Sequence, residues 1–183
     1  MDRFSRRQFL SSSSIAVAAL SAGVAVPSIG WTEKKKGMRT LGRTGLEVTQ
    51  ISFGGLNIGT TALLHGAIDS GINFIHVGTG YQNGKSIRLY GEVMKDRRKE
   101  VILALKEDPI KGIDEALKIL NTDHVDILMP GLHSVEEISN PELPGTFEKL
   151  KKEGKIRFSG FAVHKAIPEV LAKAIELGFY DVM

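Results

Sequence analysis

The sequence predicts an α/β fold in which helices cover a parallel sheet. Short runs rich in β-branched and aromatic residues alternate with segments of helical periodicity. Successive runs begin roughly 23 to 31 residues apart, which is the length of one βα unit. Two predicted helices end at a glycine suited to a helix C-cap, Gly154 and Gly178. This strict alternation is typical of a parallel sheet with helices outside it.

The predicted elements run through the last three-quarters of the chain. The strands are expected at residues 50–53, 73–77, 101–105, 125–129, 156–161 and 180–183. The helices are expected at residues 61–70, 86–96, 113–121, 141–154 and 167–177. An open doubly wound sheet and a (β/α)8 barrel both satisfy this order. Six strands are fewer than the eight units of a barrel, so the count taken alone favours the open sheet.

The N-terminal segment predicts export. Residues 5–10, SRRQFL, pair two arginines with following apolar residues, as a twin-arginine signal does. The apolar run over residues 15–26 is shorter than the about 20 residues of a membrane span, and Ala25 suits a cleavage site. We therefore expect a signal over 1–30, a lysine-rich linker over 31–37 and one domain over 38–183. The location would be periplasmic or extracytoplasmic, with membrane contact only through the signal.

Composition excludes several classes of function. The chain carries 42% hydrophobic and 25% charged residues, as ordinary globular domains do. Its net charge of +3 comes largely from Arg3, Arg6, Arg7 and the lysines at 34–36, so it does not indicate nucleic-acid binding. Because the chain has no cysteine, disulfides, thiolate metal sites and iron–sulfur clusters are excluded, and we expect no metal.

Residues able to do chemistry follow three successive predicted strands. Tyr81 lies in a glycine-rich turn after the second strand, Lys106 ends the third, and His133 follows the fourth. Because the carboxyl ends of parallel strands meet at one face, these side chains are expected to converge there. Each also has a plainer interpretation. Tyr81 could anchor a loop, Lys106 could be a solvated charge, and His133 could be a hydrogen-bonded rim residue.

Several segments resemble aldo/keto reductases, in order and at matching spacings. Residues 38–55, with Gly42 and Gly45 near a turn, resemble the opening hairpin and first strand. Residues 71–81, GINFIHVGTGY, resemble the second-strand motif. Residues 101–106, VILALK, are similar to the strand that ends in the family's lysine. Residues 123–128, DHVDIL, with Leu132 and His133, are similar to the strand and loop that carry its histidine, and residues 150–161 to a later lysine-rich signature.

The resemblance implies a (β/α)8 barrel, incomplete at about six of eight units, with a short N-terminal hairpin. It also implies NADPH-dependent reduction of a small aldehyde or ketone, or the reverse alcohol oxidation. In that reaction Tyr81 would donate a proton to the developing alkoxide, and Lys106 would assist its release. His133 would bind and polarise the carbonyl oxygen.

The sequence departs from the family pattern at three places. His76 occupies the position of the aspartate that pairs with the lysine, so Lys106 would lose its ion-pair partner. Ala162, Val163 and His164 stand where the family has residues that hold the nicotinamide amide, and only His164 could supply a side-chain contact. The chain also ends before the segment that binds the adenosine phosphate, so we expect impaired activity and poor NADPH binding.

Two other functions stay open at this stage. The chain could be a non-catalytic, barrel-derived protein that binds a ligand or a partner chain. It could also be a small dinucleotide-binding domain built on residues 78–84, although the spacing of those glycines does not match GxGxxG. In either case, unpaired sheet edges at residues 50–53 and 180–183 predict self-association.

Overall fold

A five-stranded parallel sheet forms the centre of the protein. The structure, a computed structural model, describes residues 37–183; the predicted signal and nearly all of the predicted linker lie outside that range. The strands are β3 (Phe53–Gly54), β4 (Phe74–Gly78), β5 (Ile102–Lys106), β6 (Val125–Leu128) and β7 (Ile156–Ser159). Each strand pairs with the next along the chain, in the order β3-β4-β5-β6-β7. In a doubly wound sheet the order of the strands reverses at a switch point, and this sheet has no such reversal. The sequential order therefore identifies part of the wall of a (β/α)8 barrel.

Within the described residues, six α-helices accompany the sheet. They are α1 (Thr61–Asp69), α2 (Lys85–Arg97), α3 (Asp114–Ile119), α4 (Val135–Ile138), α5 (Glu142–Lys152) and α6 (Ile167–Leu177). The larger hydrophobic cluster joins helix residues such as Leu64, Tyr90 and Leu117 to buried strand residues such as Ile75 and Leu103. The glycine predicted to end α6 does so, because Gly178 adopts the left-handed conformation with φ 72°. Within residues 37–183, no helix is long and apolar enough to cross a membrane.

The predicted hairpin covers the amino-terminal end of the strands. Strands β1 (Met38–Thr40) and β2 (Glu47–Thr49) pair in antiparallel fashion. Asn73, immediately before β4, accepts a hydrogen bond from the Thr49 N–H at 2.8 Å and donates to the Glu47 carbonyl oxygen at 2.8 Å. The hairpin residues Leu46 and Val48 pack in the second hydrophobic cluster, with Ala104 and Ile127 of the sheet. The opposite, carboxyl ends of the strands therefore stay accessible.

The first predicted strand is shorter than expected. Only Phe53 and Gly54 pair with β4, opposite Ile75 and His76. Gln50, the first residue of the predicted strand, instead donates its backbone N–H to the Gly37 carbonyl oxygen at 3.1 Å. Because the Gln50 N–H is already bonded to Gly37, it is not available to pair Gln50 with β4.

The prediction of a sixth strand at residues 180–183 was wrong. This segment makes one isolated bridge, between Gly160 and Val182. Val182 completes this bridge, since its N–H donates to the Ser159 carbonyl oxygen and its carbonyl oxygen accepts the Phe161 N–H. The Asp181 N–H donates to the same Ser159 oxygen, so no second bridge precedes it. Side chains fix it instead: the buried Tyr180 hydroxyl donates to the Ile138 carbonyl oxygen at 3.0 Å, and the Asp181 carboxylate accepts from the Ser159 N–H at 2.9 Å.

Candidate active site

The turn after β4 places Tyr81 over the end of that strand. The Tyr81 N–H donates to the Gly78 carbonyl oxygen at 3.2 Å. A Cβ on Gly78 would lie only 3.0–3.1 Å from three atoms of the Tyr81 ring, so the ring lies where a side chain would otherwise be. Gln82 anchors the turn by donating to the carbonyl oxygens of Leu56 and Ile58, at 3.1 and 3.0 Å. The position of Tyr81 therefore depends on the absence of a side chain at Gly78.

Lys106 and His133 approach each other beside Gly131. Lys106 ends β5 opposite Gly78, and the Thr79 N–H donates to its carbonyl oxygen at 3.3 Å. A Cβ on Gly131 would lie 3.0 Å from Lys106 Cε, 3.3 Å from Lys106 Nζ and 3.2 Å from His133 Nε2. Lys106 Nζ and His133 Nε2 thus both lie close to the position that a Cβ at residue 131 would occupy. Only glycine leaves that position empty.

One cavity of about 330 Å³ brings the three predicted residues together. Its lining residues are Gly78, Thr79, Gly80, Tyr81, Lys106, Glu107, Asp108, Gly131 and His133. A second cavity of about 230 Å³ shares Asp108 and Gly131 with the first. Glu107 and Asp108 were not among the predicted site residues, and the structure places both in this lining. Their position directly after Lys106, at a strand end, was the signal that could have found them.

The hydrogen bonds of His133 define its tautomer. Its Nδ1 accepts the backbone N–H of His164 at 3.1 Å, so the neutral ring carries its proton on Nε2. The His164 ring stacks against it, with the centroids 5.3 Å apart. The His133 backbone N–H donates to the Glu137 carboxylate. Nε2–H is therefore a fixed donor directed toward Gly131 and Lys106, the geometry needed to hold a carbonyl oxygen.

His76 lies beside Tyr81 and is itself uncharged. Its ring meets the Tyr81 ring edge-on, with centroids 5.9 Å apart, and its Nε2 is buried without a hydrogen-bond partner in the described part of the chain. Burial, and secondarily the positive charge of Lys106, lower the pKa of His76. A neutral imidazole supplies no negative charge beside the lysine.

Tyr81 keeps its proton. Burial raises the pKa of its phenol above the ordinary value, so the hydroxyl is a hydrogen-bond donor at neutral pH. Lys106 forms no ion pair within residues 37–183, in contrast to Lys151 and Lys155, which pair with Asp181 and Asp114. The cavity therefore contains a phenol, an imidazole donor and an amine without a carboxylate partner.

Two of the three predicted cofactor residues, Ala162 and His164, form hydrogen bonds with the loop that carries His133. The Ala162 N–H donates to the Pro130 carbonyl oxygen at 2.8 Å, and the Ala162 carbonyl oxygen accepts the Leu132 N–H at 2.9 Å. Val163 is half-buried, and His164 is exposed and bound to His133 as described. The residues present fit the reacting end of a nicotinamide cofactor, because the cavity opens beside Tyr81 and His133. Of the three, only His164 has side-chain atoms that could bond the nicotinamide amide.

The chain is similar to known proteins in sequence and in fold. The sequence model of the Aldo/keto reductase family matches residues 51–180. The uncharacterized oxidoreductase YqkF of Bacillus subtilis (strain 168) is 30% identical over 147 residues, which cover 68% of this chain and 48% of that protein. This chain therefore spans about half the length of that relative.

Two solved structures share the fold. The holo form of the aldo-keto reductase AKR11C1 from Bacillus halodurans superposes with a TM-score of 0.69 at 25% identity, over 79% of this chain and 55% of that one. An aldo/keto reductase from Klebsiella pneumoniae, solved with NADP and acetate, gives a TM-score of 0.58 at 25% identity, over 69% and 49%. Together with the family match to most of the sequence, these similarities show that the chain belongs to the aldo/keto reductase family.

Proposed function

We propose that this protein reduces small aldehydes or ketones with NADPH, or oxidises the corresponding alcohols, at a rate limited by His76. The observation that carries the proposal is the convergence of Tyr81, Lys106 and His133 on one cavity. The NADP-containing relative supports the choice of cofactor. NADPH, when bound, supplies the hydride for this reaction.

Each cavity residue has a defined part in the proposal. His133 Nε2–H binds the carbonyl oxygen, since its other ring nitrogen already accepts the His164 N–H. The Tyr81 hydroxyl donates the proton that converts the developing alkoxide to an alcohol. Its raised pKa makes that donation less favourable, and no carboxylate pairs with Lys106 in residues 37–183 to organise the amine. These features support low activity.

NADPH consumption by the purified protein, with a small aldehyde such as propanal, tests the proposal. Replacing a general acid typically costs at least about a hundredfold in rate, so Tyr81→Phe should lower the rate by about that factor. Lys106→Met should also lower it, while Lys111→Met is the matched control because Lys111 is exposed and outside the first cavity. Equal rates for the native protein and Tyr81→Phe would contradict the assignment and favour a non-catalytic binding protein.

Weak cofactor binding belongs to the same proposal. Ala162 and Val163 offer no hydroxyl or amide side chain, so the nicotinamide would gain few hydrogen bonds there. A fluorescence titration with NADPH should therefore give a dissociation constant well above the micromolar range. Micromolar binding would contradict this expectation and would leave the reductase assignment intact.

We also propose that the protein is exported by the twin-arginine route. The support is the SRRQFL run at residues 5–10, followed by a short apolar run. A double change of Arg6 and Arg7 to lysine should retain the protein in the cytoplasm when cell fractions are compared. Arg3→Lys is the matched control and should leave export unchanged. Export of the double variant would contradict this proposal.

A further inference from the structure

We propose that Lys106 is a carbonyl-reactive amine, which forms an imine with small aldehydes in the absence of any cofactor. This activity goes beyond the reductase function, because it needs no hydride. It arises from the same cavity, where an amine and a fixed hydrogen-bond donor lie beside one open point.

Lys106 has no ion-pair partner within residues 37–183, although two carboxylates lie nearby. A paired carboxylate would hold a lysine in its protonated, non-nucleophilic form. The two carboxylates that line the cavity are engaged with the backbone instead. Glu107 Oε1 accepts the Asp108 N–H at 2.8 Å, and Asp108 Oδ1 accepts the Ile110 N–H at 2.9 Å. The second Asp108 oxygen lies 3.7 Å from Lys111 Nζ.

The other neighbours of Lys106 are uncharged. His76 lies on the same face of the sheet, because its strand partner Ala104 is two residues before Lys106. Its burial keeps the imidazole neutral, and burial also keeps Tyr81 a phenol. Within the described range, no anion is paired with this amine. The aspartate-to-histidine departure thus removes the carboxylate that would pair with this amine and occupy its hydrogen-bonding positions.

His133 lies where the reaction needs a donor. The Lys106 nitrogen lone pair attacks the carbonyl carbon, a C–N bond forms, and one of the two amine protons passes to the oxygen to give a carbinolamine. The remaining nitrogen proton then passes to the hydroxyl group, the C–O bond breaks, water leaves, and the C=N bond forms. His133 Nε2–H can bond the oxygen in both stages, because it lies beside the same Gly131 position as Lys106 Nζ. The reaction is redox-neutral, and a small unhindered aldehyde suits a cavity of about 330 Å³.

Reductive trapping tests the proposal in the native protein. The purified full chain is incubated with limiting propanal and sodium cyanoborohydride without NADPH, and each lysine is then quantified by peptide mass spectrometry. Lys106 should be propylated about tenfold or more above the exposed Lys111 in the same sample. Because the comparison is internal, it does not depend on a variant that folds. Equal labelling of the two lysines would overturn the proposal.

Substitutions provide a second test of the proposal. Lys106→Arg should abolish the excess labelling, and Lys111→Arg should preserve it. His133→Leu should slow labelling of Lys106 by about tenfold without changing that of Lys111, because the oxygen loses its donor. Unchanged Lys106 labelling in His133→Leu would remove the histidine from the mechanism. The outcomes are separate from those of the reductase proposal, since trapping contains no NADPH and NADPH consumption contains no cyanoborohydride.

Discussion

At the scale of single residues, both proposed activities of the cavity depend on His76. It lies on the site face of β4, beside Tyr81 and within the field of Lys106. An aspartate at this position would pair with Lys106 Nζ, which favours proton release by the tyrosine and disfavours imine formation.

The change His76→Asp should therefore move the two activities in opposite directions. We expect NADPH-dependent reduction to rise about tenfold and Lys106 trapping to fall about tenfold, which corresponds to roughly 1.4 kcal/mol for each. His65→Asp is the control, because His65 lies on α1, away from the cavity. A variant that changes neither rate would show that the residue at position 76 does not act on Lys106.

Asp126 is a buried carboxylate that is held by a backbone hydrogen bond and two ion pairs. Its buried carboxylate accepts the Leu103 N–H at 2.9 Å and pairs with Arg98 at 2.9 Å and Arg157 at 2.6 Å. Burial alone would raise the pKa of Asp126, but the backbone hydrogen bond and the two arginines bring it below its usual value. Arg157 is half exposed, so solvent screens its contribution more than that of Arg98.

Replacing Asp126 by asparagine should destabilise the protein by about 3 kcal/mol, because Arg98, whose side chain is only 14% exposed, loses its carboxylate partner. Asp123→Asn is the control, since Asp123 is exposed. The lowered pKa also gives a sign for pH dependence. The contribution of Asp126 is present above the unfolded value of about 3.9 and is lost as pH falls through the folded value. Urea unfolding at neutral and acidic pH measures both effects; equal stability of the two variants at neutral pH would contradict them.

At the scale of elements, α2 and α3 approach through a glycine. A Cβ on Gly91 of α2 would overlap the carbonyl oxygen of Ile119 in α3. Gly91→Ala should force the helices apart and cost about 2 kcal/mol, despite the better helix propensity of alanine. Gly66→Ala in α1 is the matched control, because nothing lies within 4 Å of its added Cβ. That variant should gain up to about 1 kcal/mol. Chemical denaturation measures both, and a stabilised Gly91→Ala would contradict the packing.

Most elements could be predicted because their patterns are local. The β-rich runs of β4 to β7 and the helical periodicity between them predict segments that the structure confirms, with ends shifted by one or two residues. The segment at 180–183 has the same β-rich composition, but its backbone is fixed by Tyr180 and Asp181 contacts with distant residues. Composition carries no information on such contacts. For the same reason it could not decide between an open sheet and a barrel wall, which differ in strand order and in the faces that the helices cover.

The site could be predicted in part. Tyr81, Lys106 and His133 were expected to converge because parallel strands end at one face, and one cavity contains all three. The bond from the His164 backbone N–H to His133 could not be predicted, since every residue except proline has such a donor. Likewise, nothing in the sequence indicates that Gly78 and Gly131 are the positions at which side chains would displace the site.

At the scale of the whole molecule, the sheet has an apolar inner face and an edge at β3. The half-buried Phe74, Ile102, Met129 and Phe158 pack against the small inner cluster. Strand β3 pairs with β4 on one side and with no other strand among residues 37–183. Ile51, two residues before β3, is 72% exposed. Open edges beside apolar surface promote pairing between chains, so we expect the protein to self-associate.

The charge substitution Ile51→Lys should reduce this association, because a lysine at an edge must be desolvated when two edges meet. Ile175→Lys is the matched control: Ile175 is 70% exposed, nearly as much as Ile51, but it lies on α6, away from the β3 edge. Light scattering should give a mass above that of the monomer for the native protein and Ile175→Lys, and a lower mass for Ile51→Lys. A monomeric native protein would contradict self-association altogether. Equal masses for both lysine variants would place the contact elsewhere than the β3 edge, on a surface that neither substitution alters.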